Sequence, residues 1–222
     1  MLATVLPVIV ISPAIAPIVG GVLTSWFGWP STFWFIALLE VIAFAFTWFF
    51  LSETPKPLTA AGIPYFFAYV TILRSRKALP FLFMVCISYS TYFAFIFQCA
   101  PIYSQMGFST QEISYLYVPV AVFFYIGSQI SKRLASIWSF ERTLLTGVVI
   151  FLAGTSAMAF VTIAMASSTT LAMISAFCLV LVGNAIVLSV GTAQVMSTFP
   201  ELRGSSSALV GLLQSLATVL AP

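Results

Sequence analysis

The sequence predicts an all-α integral membrane protein with about seven transmembrane helices. Three observations carry that prediction. Of its 222 residues, 61% are hydrophobic and 6% are charged, whereas soluble domains carry about a quarter charged residues. The apolar residues form seven long continuous stretches, and a bilayer core about 30 Å thick takes roughly 20 helical residues per crossing. All eight Lys and Arg fall in alternate gaps between those stretches, the arrangement that the positive-inside rule reads as topology.

The stretches run approximately Leu2–Trp26, Thr32–Leu51, Leu79–Cys99, Ile113–Ile130, Leu144–Met165, Leu171–Val195 and Ser205–Ala221. They are too long and continuous for barrel strands, and in lipid each backbone polar group must be satisfied within its own segment, so each is expected to be a helix. The first gap, Gly28–Pro30, has no charge and reads as a tight turn. The second, Ser52 to Ala78, is long. It holds Pro55, Pro57, Gly62 and Pro64, then aromatics from Tyr65 to Tyr69 and the cluster Arg74, Arg76, Lys77. Its second half predicts an amphipathic helix on the membrane surface, aromatics in the interface and cations toward headgroups. Ala100–Thr110 and Ala166–Thr170 are uncharged, while Lys132, Arg133 and Arg142 mark the gap between them and Arg203 the last. The basic gaps are therefore expected in the cytoplasm, with the N-terminus on that side and Trp26, Trp29 and Tyr103 at the opposite interface. Met1 is followed directly by an apolar segment with no basic n-region, so no secretory leader is expected.

The composition also excludes chemistry. The sequence has no His and no Asp, so a His-based triad, a His-Glu zinc site and an aspartyl protease are all ruled out. No catalytic residue, metal site or cofactor is expected, and the eight dispersed cations form no nucleic-acid patch. Cys86, Cys99 and Cys178 lie in or beside apolar stretches without ligand spacing and read as small packed hydrophobes. A retinal protein fails because Lys56, Lys77 and Lys132 all lie in gaps.

The first stretch reads Ser12-Pro13-Ala14-Ile15-Ala16-Pro17-Ile18-Val19-Gly20-Gly21. It resembles the Gly/Pro motif G-x-x-x-G-P-x-x-G-G in the fifth helix of major facilitator superfamily drug:proton antiporters. Pro17, Gly20 and Gly21 match, while Ser12 and Ala16 replace the earlier glycines in a version similar to the bicyclomycin-resistance branch. Trp29-Pro30-Ser31-Thr32-Phe33-Trp34, Glu53-Thr54-Pro55 and Pro200 to Gln214 continue the resemblance, and Gly127 to Leu134 is a degenerate form of the family's basic loop motif. The resemblance implies helices five to eleven of a twelve-helix fold. Residues 1–51 would end the N-terminal bundle, 52–78 form the central loop and 79–222 make most of the C-terminal bundle. Helices one to four and twelve would lie outside this chain, and residues 1–222 expressed alone are then not expected to transport.

Several residues are candidates for a carrier's work. Ser12, Pro13, Ala16, Pro17, Gly20 and Gly21 combine ring-weakened helix bonds with a small-residue stripe, which suits a bent gate or hinge helix. An ordinary kinked packing helix explains them too. Glu40 lies near the middle of the second stretch, where a charge costs about 2.5–3.5 kcal/mol, and is the candidate proton site. A neutral or locally paired glutamate is the alternative. Ser88, Thr91, Tyr92, Phe95 and Cys99 recur at helical spacing on the third stretch; with Gln98, Tyr117, Tyr125, Asn184, Gln194 and Gln214 they are candidates to line a cavity for a small amphipathic substrate. Interhelical hydrogen bonding accounts for such residues equally well. The expected function is part of a proton-coupled drug efflux carrier in a bacterial inner membrane, working in lipid on amphipathic molecules and protons. The alternatives are a non-transporting fragment and a seven-helix receptor-like protein.

Overall fold

The computed structural model describes the backbone of residues 2–50, 65–164 and 170–220, and the side chains of 15–50, 66–163 and 171–219. It is helical in each of the seven apolar stretches. Helix α1 covers Leu2–Phe27, α2 Pro30–Phe50, α3 Tyr65–Arg74, α4 Leu79–Gln105, α5 Thr110–Ile137, α6 Phe140–Ala164, α7 Thr170–Thr198 and α8 Arg203–Leu220, with a single 3-10 turn at Pro200–Leu202. Five of these, α2, α4, α5, α6 and α7, are long and apolar enough to cross a membrane over their described residues. Of α1, the part from Ile15 to Phe27 is a shorter apolar helix. Helix α8 is described over 18 residues and opens on Arg203, Gly204 and three serines.

The turns follow from local chemistry. Helix α1 ends at Gly28, whose φ of 78° a residue with a Cβ rarely adopts, and whose N–H closes on the Thr24 carbonyl at 3.0 Å. Pro30 then opens α2, where a missing N–H costs nothing. Helix α4 ends likewise at Gly107, φ 89°, with the Phe108 N–H bonded to the Tyr103 carbonyl at 3.1 Å. Two residues later Ser109 caps α5. The Glu112 N–H donates to its Oγ at 3.3 Å, and the Ser109 N–H donates to Glu112 Oε2 at 2.8 Å, a reciprocal capping box.

These caps correct two expectations. The gap placed at Ala100–Thr110 shrinks to Met106–Ser109, because α4 continues through Pro101 to Gln105. Tyr103, expected at the membrane interface, consequently turns into the bundle and is 1% exposed.

Helix α7 is the axis of the assembly. It packs most extensively on α6 and α5, then on α4, while α4 also meets α8 and α1 lies along α5. Val180, Leu181, Ala185 and Ile186 of α7 are fully buried. Close approach is set by glycine. A Cβ on Gly183 would stand 2.7 Å from Phe151 Cα, one on Gly154 2.9 Å from Val180 Cα, and one on Gly127 2.8 Å from Val182 Cα. Helices α5 and α6 therefore contact α7 nearly backbone to backbone, the means by which helices gain packing contacts where lipid supplies no hydrophobic drive. Outward faces are apolar, as lipid requires: Leu145, Val149 and Phe160 of α6 are all exposed. Helix α3 packs at the basic end of the bundle, against α8 and α4, with apolar residues on its buried face and also, as Phe66, Phe67 and Leu73, on its exposed one.

Candidate functional site

Two places bring expected site residues against other elements. The first is the seam between α1 and α5. Gly21 is buried, and a Cβ there would stand 3.1 Å from Ser114 Cβ and closer still to its Oγ. Ser114 points its hydroxyl back to the Thr110 carbonyl at 2.8 Å, which keeps a small, self-satisfied surface toward the glycine. Gly20 has open space where its Cβ would be, Ala16 is exposed and Pro17 half-buried. Among the described residues the close approach thus runs through Gly21 rather than through the four-residue stripe of Ala16 and Gly20. Helix α1 remains helical across Pro13 and Pro17; the side chains of Ser12 and Pro13 lie outside the described residues.

The second place is a cavity of about 270 Å³ between α4, α6 and α7, lined by Thr91, Phe95, Gln98, Cys99, Tyr103 and Phe177, with Ala94, Ile102, Met158 and Met173 closing it. None of these side chains carries a charge at neutral pH. The lining draws on the second half of α4, so the cavity lies toward the uncharged end. Phe95 and Phe177 form its floor, with ring planes 12° apart and centroids at 3.4 Å. Their stacking holds α4 and α7 together while the two thioethers give an adaptable wall.

Of the eleven residues expected to line a cavity, Thr91, Phe95, Gln98 and Cys99 line this one. Tyr92 and Tyr117 lie behind it in the same apolar cluster, and Tyr117 donates its hydroxyl to the Ile96 carbonyl at 3.0 Å. Ser88 and Asn184 meet below it: the Asn184 side-chain amide donates to the Ser88 carbonyl at 2.6 Å. Tyr125, Gln194 and Gln214 are elsewhere. Tyr125 is exposed on α5, Gln194 accepts from Ser197 Oγ at 3.2 Å, and Gln214 is half-buried on α8.

Glu40 stands exposed on α2 in line with Ile36 and Phe44, also exposed, and no described residue of α2 is buried. Its surroundings in the described residues are therefore apolar side chains that face away from the bundle. Sequence reasoning missed Tyr103, Met158, Met173 and Phe177 of the cavity, because nothing in a single helix announces which neighbour will face it. It also missed the glycine seam of α6 and α7, for which Gly147 and Gly154, seven positions apart on one helix face, were an available signal. Cys99 and Cys178 are buried free thiols and Cys86 is half-buried. Among the described residues no three His, Cys, Asp or Glu gather where they would hold a metal ion.

Comparison with known proteins places the chain in a setting. The family model described as the Major Facilitator Superfamily matches residues 2–222. A bicyclomycin resistance protein homolog from Haemophilus influenzae is 25% identical over 139 residues, which cover 60% of this chain and 34% of that protein. A chloramphenicol resistance protein from Pseudomonas aeruginosa is 28% identical over 156 residues, covering 68% of this chain and 36% of that protein. The chain matches only about a third of the length of these curated relatives.

Proposed function

Because the chain belongs to the Major Facilitator Superfamily, we propose that it is part of a proton-coupled carrier that exports small amphipathic drugs across a bacterial inner membrane. The chain is a multi-pass membrane protein of a transporter family, and that membership sets aside the receptor-like alternative. The basic face is cytoplasmic in this reading, and the N-terminus lies on the same side. Residues 1–51 end one bundle, 52–78 join the bundles, and 79–222 form most of the second.

The observation that carries the reading is the Gly21–Ser114 seam. It joins the helix bearing the Gly/Pro motif to a helix from beyond the long connection. A contact between a glycine and a small hydroxyl residue lets two helices slide or rock without side chains unlocking, which a carrier with alternating access requires. The cavity walled by Phe95, Phe177 and the two methionines supports an apolar, uncharged or amphipathic cargo, with Gln98 and Thr91 as the polar edge that orients it. Glu40, on a helix long enough to cross the membrane, is the proton site in this reading. The relatives' names, resistance to bicyclomycin and to chloramphenicol, agree with drug export as the outcome.

The test is export itself. The segment is expressed with the coding sequence that flanks it in an efflux-deficient bacterium, and energised dye export is followed against an empty vector. Export that collapses when the proton gradient is dissipated is expected. Gradient-insensitive export, or none from a protein present in the membrane, would sink the reading. Gly21→Leu is expected to abolish export at unchanged membrane abundance, whereas Gly20→Leu, with open space around it, is expected to cost less.

A further inference from the structure

Helix α3 has two faces with different destinations. Ala68 and Ile72 are 2% and 0% exposed, and Ile72 joins Ala78, Leu82, Val85, Val195, Leu209 and Val210 in one apolar cluster, so the helix is clamped onto the bundle end. Its other face shows Phe66 and Phe67, 71% and 60% exposed, and Leu73. The corner that follows is fixed by backbone bonds: the Ala78 and Leu79 N–H groups both donate to the Ser75 carbonyl, at 3.0 and 3.1 Å. From this ordered corner Arg74, Arg76 and Lys77 project, all exposed. Arg203, also exposed, opens α8, against which α3 packs.

The charge balance of this face is one-sided. Its described residues include the cations Arg74, Arg76, Lys77, Lys132, Arg133, Arg142 and Arg203 and the acids Glu141 and Glu201, seven against two. Topology alone would be served by cations anywhere in a loose connection. Here Arg74, Arg76 and Lys77 sit on a docked helix corner, at the end of the helix whose start carries the outward-facing rings of Phe66 and Phe67. An apolar face in the interfacial plane with cations at its edge is the arrangement of a surface anchor, and the cations attract acidic lipid over about 8 Å at physiological salt.

We propose that the outer face of α3, its corner with α4 and the start of α8 form a docking surface for acidic phospholipid headgroups, with Phe66 and Phe67 seated among the acyl chains. The occupant is an anionic phosphodiester lipid of the leaflet that meets the basic face, whichever side of the cell that is. The inference is therefore independent of what the carrier exports.

The test uses the whole 222-residue chain in lipid nanodiscs of phosphatidylcholine, with and without phosphatidylglycerol, and reads amide hydrogen exchange across residues 65–79. Each near-surface Lys or Arg adds roughly fivefold to binding at an acidic membrane, so phosphatidylglycerol is expected to slow exchange here by at least about fivefold, and high salt to remove that effect. The triple variant Arg74→Gln, Arg76→Gln, Lys77→Gln is expected to exchange equally in both nanodiscs. Equal exchange of the native chain in the two lipids overturns the proposal, as does full slowing retained by the triple variant. If that variant fails to insert, Phe66→Ser with Phe67→Ser, which keeps every cation, decides instead: reduced slowing is expected and unaltered slowing overturns it. A soluble polyglutamate peptide that slows exchange as much in phosphatidylcholine would identify an acidic protein surface as the occupant and overturn the lipid assignment.

Discussion

Asn184 on α7 donates its side-chain amide to the Ser88 carbonyl of α4 at 2.6 Å, joining positions 96 residues apart where both side chains are buried. The bond uses the Ser88 backbone and leaves both side chains short, since Asn184 Oδ1 and Ser88 Oγ are buried without a partner among the described residues. In membrane bundles such interhelical bonds average only about 0.6 kcal/mol, and an unmatched acceptor works against even that. Asn184→Val, much closer in volume than a leucine would be, is therefore expected to leave thermal stability in detergent within about 1 kcal/mol of the native chain. Asn184→Asp is expected to be severely destabilising at neutral pH, because the new carboxylate has no cation near it. Melting curves in detergent check both variants, and an Asp variant as stable as the native chain would contradict the burial of the site.

The seam between α6 and α7 gives a sharper contrast. A Cβ at Gly183 meets Phe151 Cα at 2.7 Å and the Gly147 carbonyl oxygen at 2.8 Å, both backbone atoms that cannot rotate away. Gly183→Ala is expected to cost about 1–3 kcal/mol through forced separation of the helices. Gly211→Ala on α8 meets nothing within 4 Å and should be neutral or stabilising by up to about 1 kcal/mol, because alanine is the better helix former. Equal effects of the two changes in thermal unfolding would contradict the packing described for α7.

Much of this architecture is legible in the sequence because lipid removes the alternatives: a long apolar stretch has only helix available to it. The helix ends were harder to read. Hydropathy stops at Cys99, yet α4 runs on to Gln105, since a helix persists through the headgroup layer until a glycine such as Gly107 ends it. Tyr103 lies on that extension with its side chain buried in the bundle. Sites divide in the same way. The face Thr91, Phe95, Gln98 follows from helical spacing within one segment, whereas Met158, Met173 and Phe177 join it only through tertiary contact. The Gly/Pro motif marked α1 as a candidate gate or hinge helix, but choosing Gly21 over Gly20 as the contact requires knowing where Ser114 stands.

Topology is open to direct chemical labelling. In a background where Cys86, Cys99 and Cys178 are replaced by serine or alanine, Met106→Cys and Lys132→Cys lie at opposite ends of the bundle, one in the uncharged turn after α4 and one near the basic end of α5. A membrane-impermeant maleimide is expected to label the first on intact cells and the second only after permeabilisation, with the basic face inside. Labelling of both from outside would show that α5 does not cross.

Glu40 gives the last prediction, and it tests coupling apart from binding. The carboxyl sits on α2 in line with Ile36 and Phe44, near the middle of a helix long enough to span the bilayer. An ionised carboxylate at that depth costs about 2.5–3.5 kcal/mol on insertion scales, so a resident glutamate there is expected to hold or pass a proton. Glu40→Gln keeps the shape and the hydrogen-bonding edge of the side chain while removing titration. In the carrier that contains this segment, proton-driven export should fall to background while binding of a fluorescent substrate to the purified protein changes less than about threefold, since the loss lies in the coupling step and not in recognition. Glu40→Ala should add a loss of membrane abundance only if the carboxyl also holds α2 in place. Native export by the Gln variant from pH 6 to 8 would remove Glu40 from the proton path.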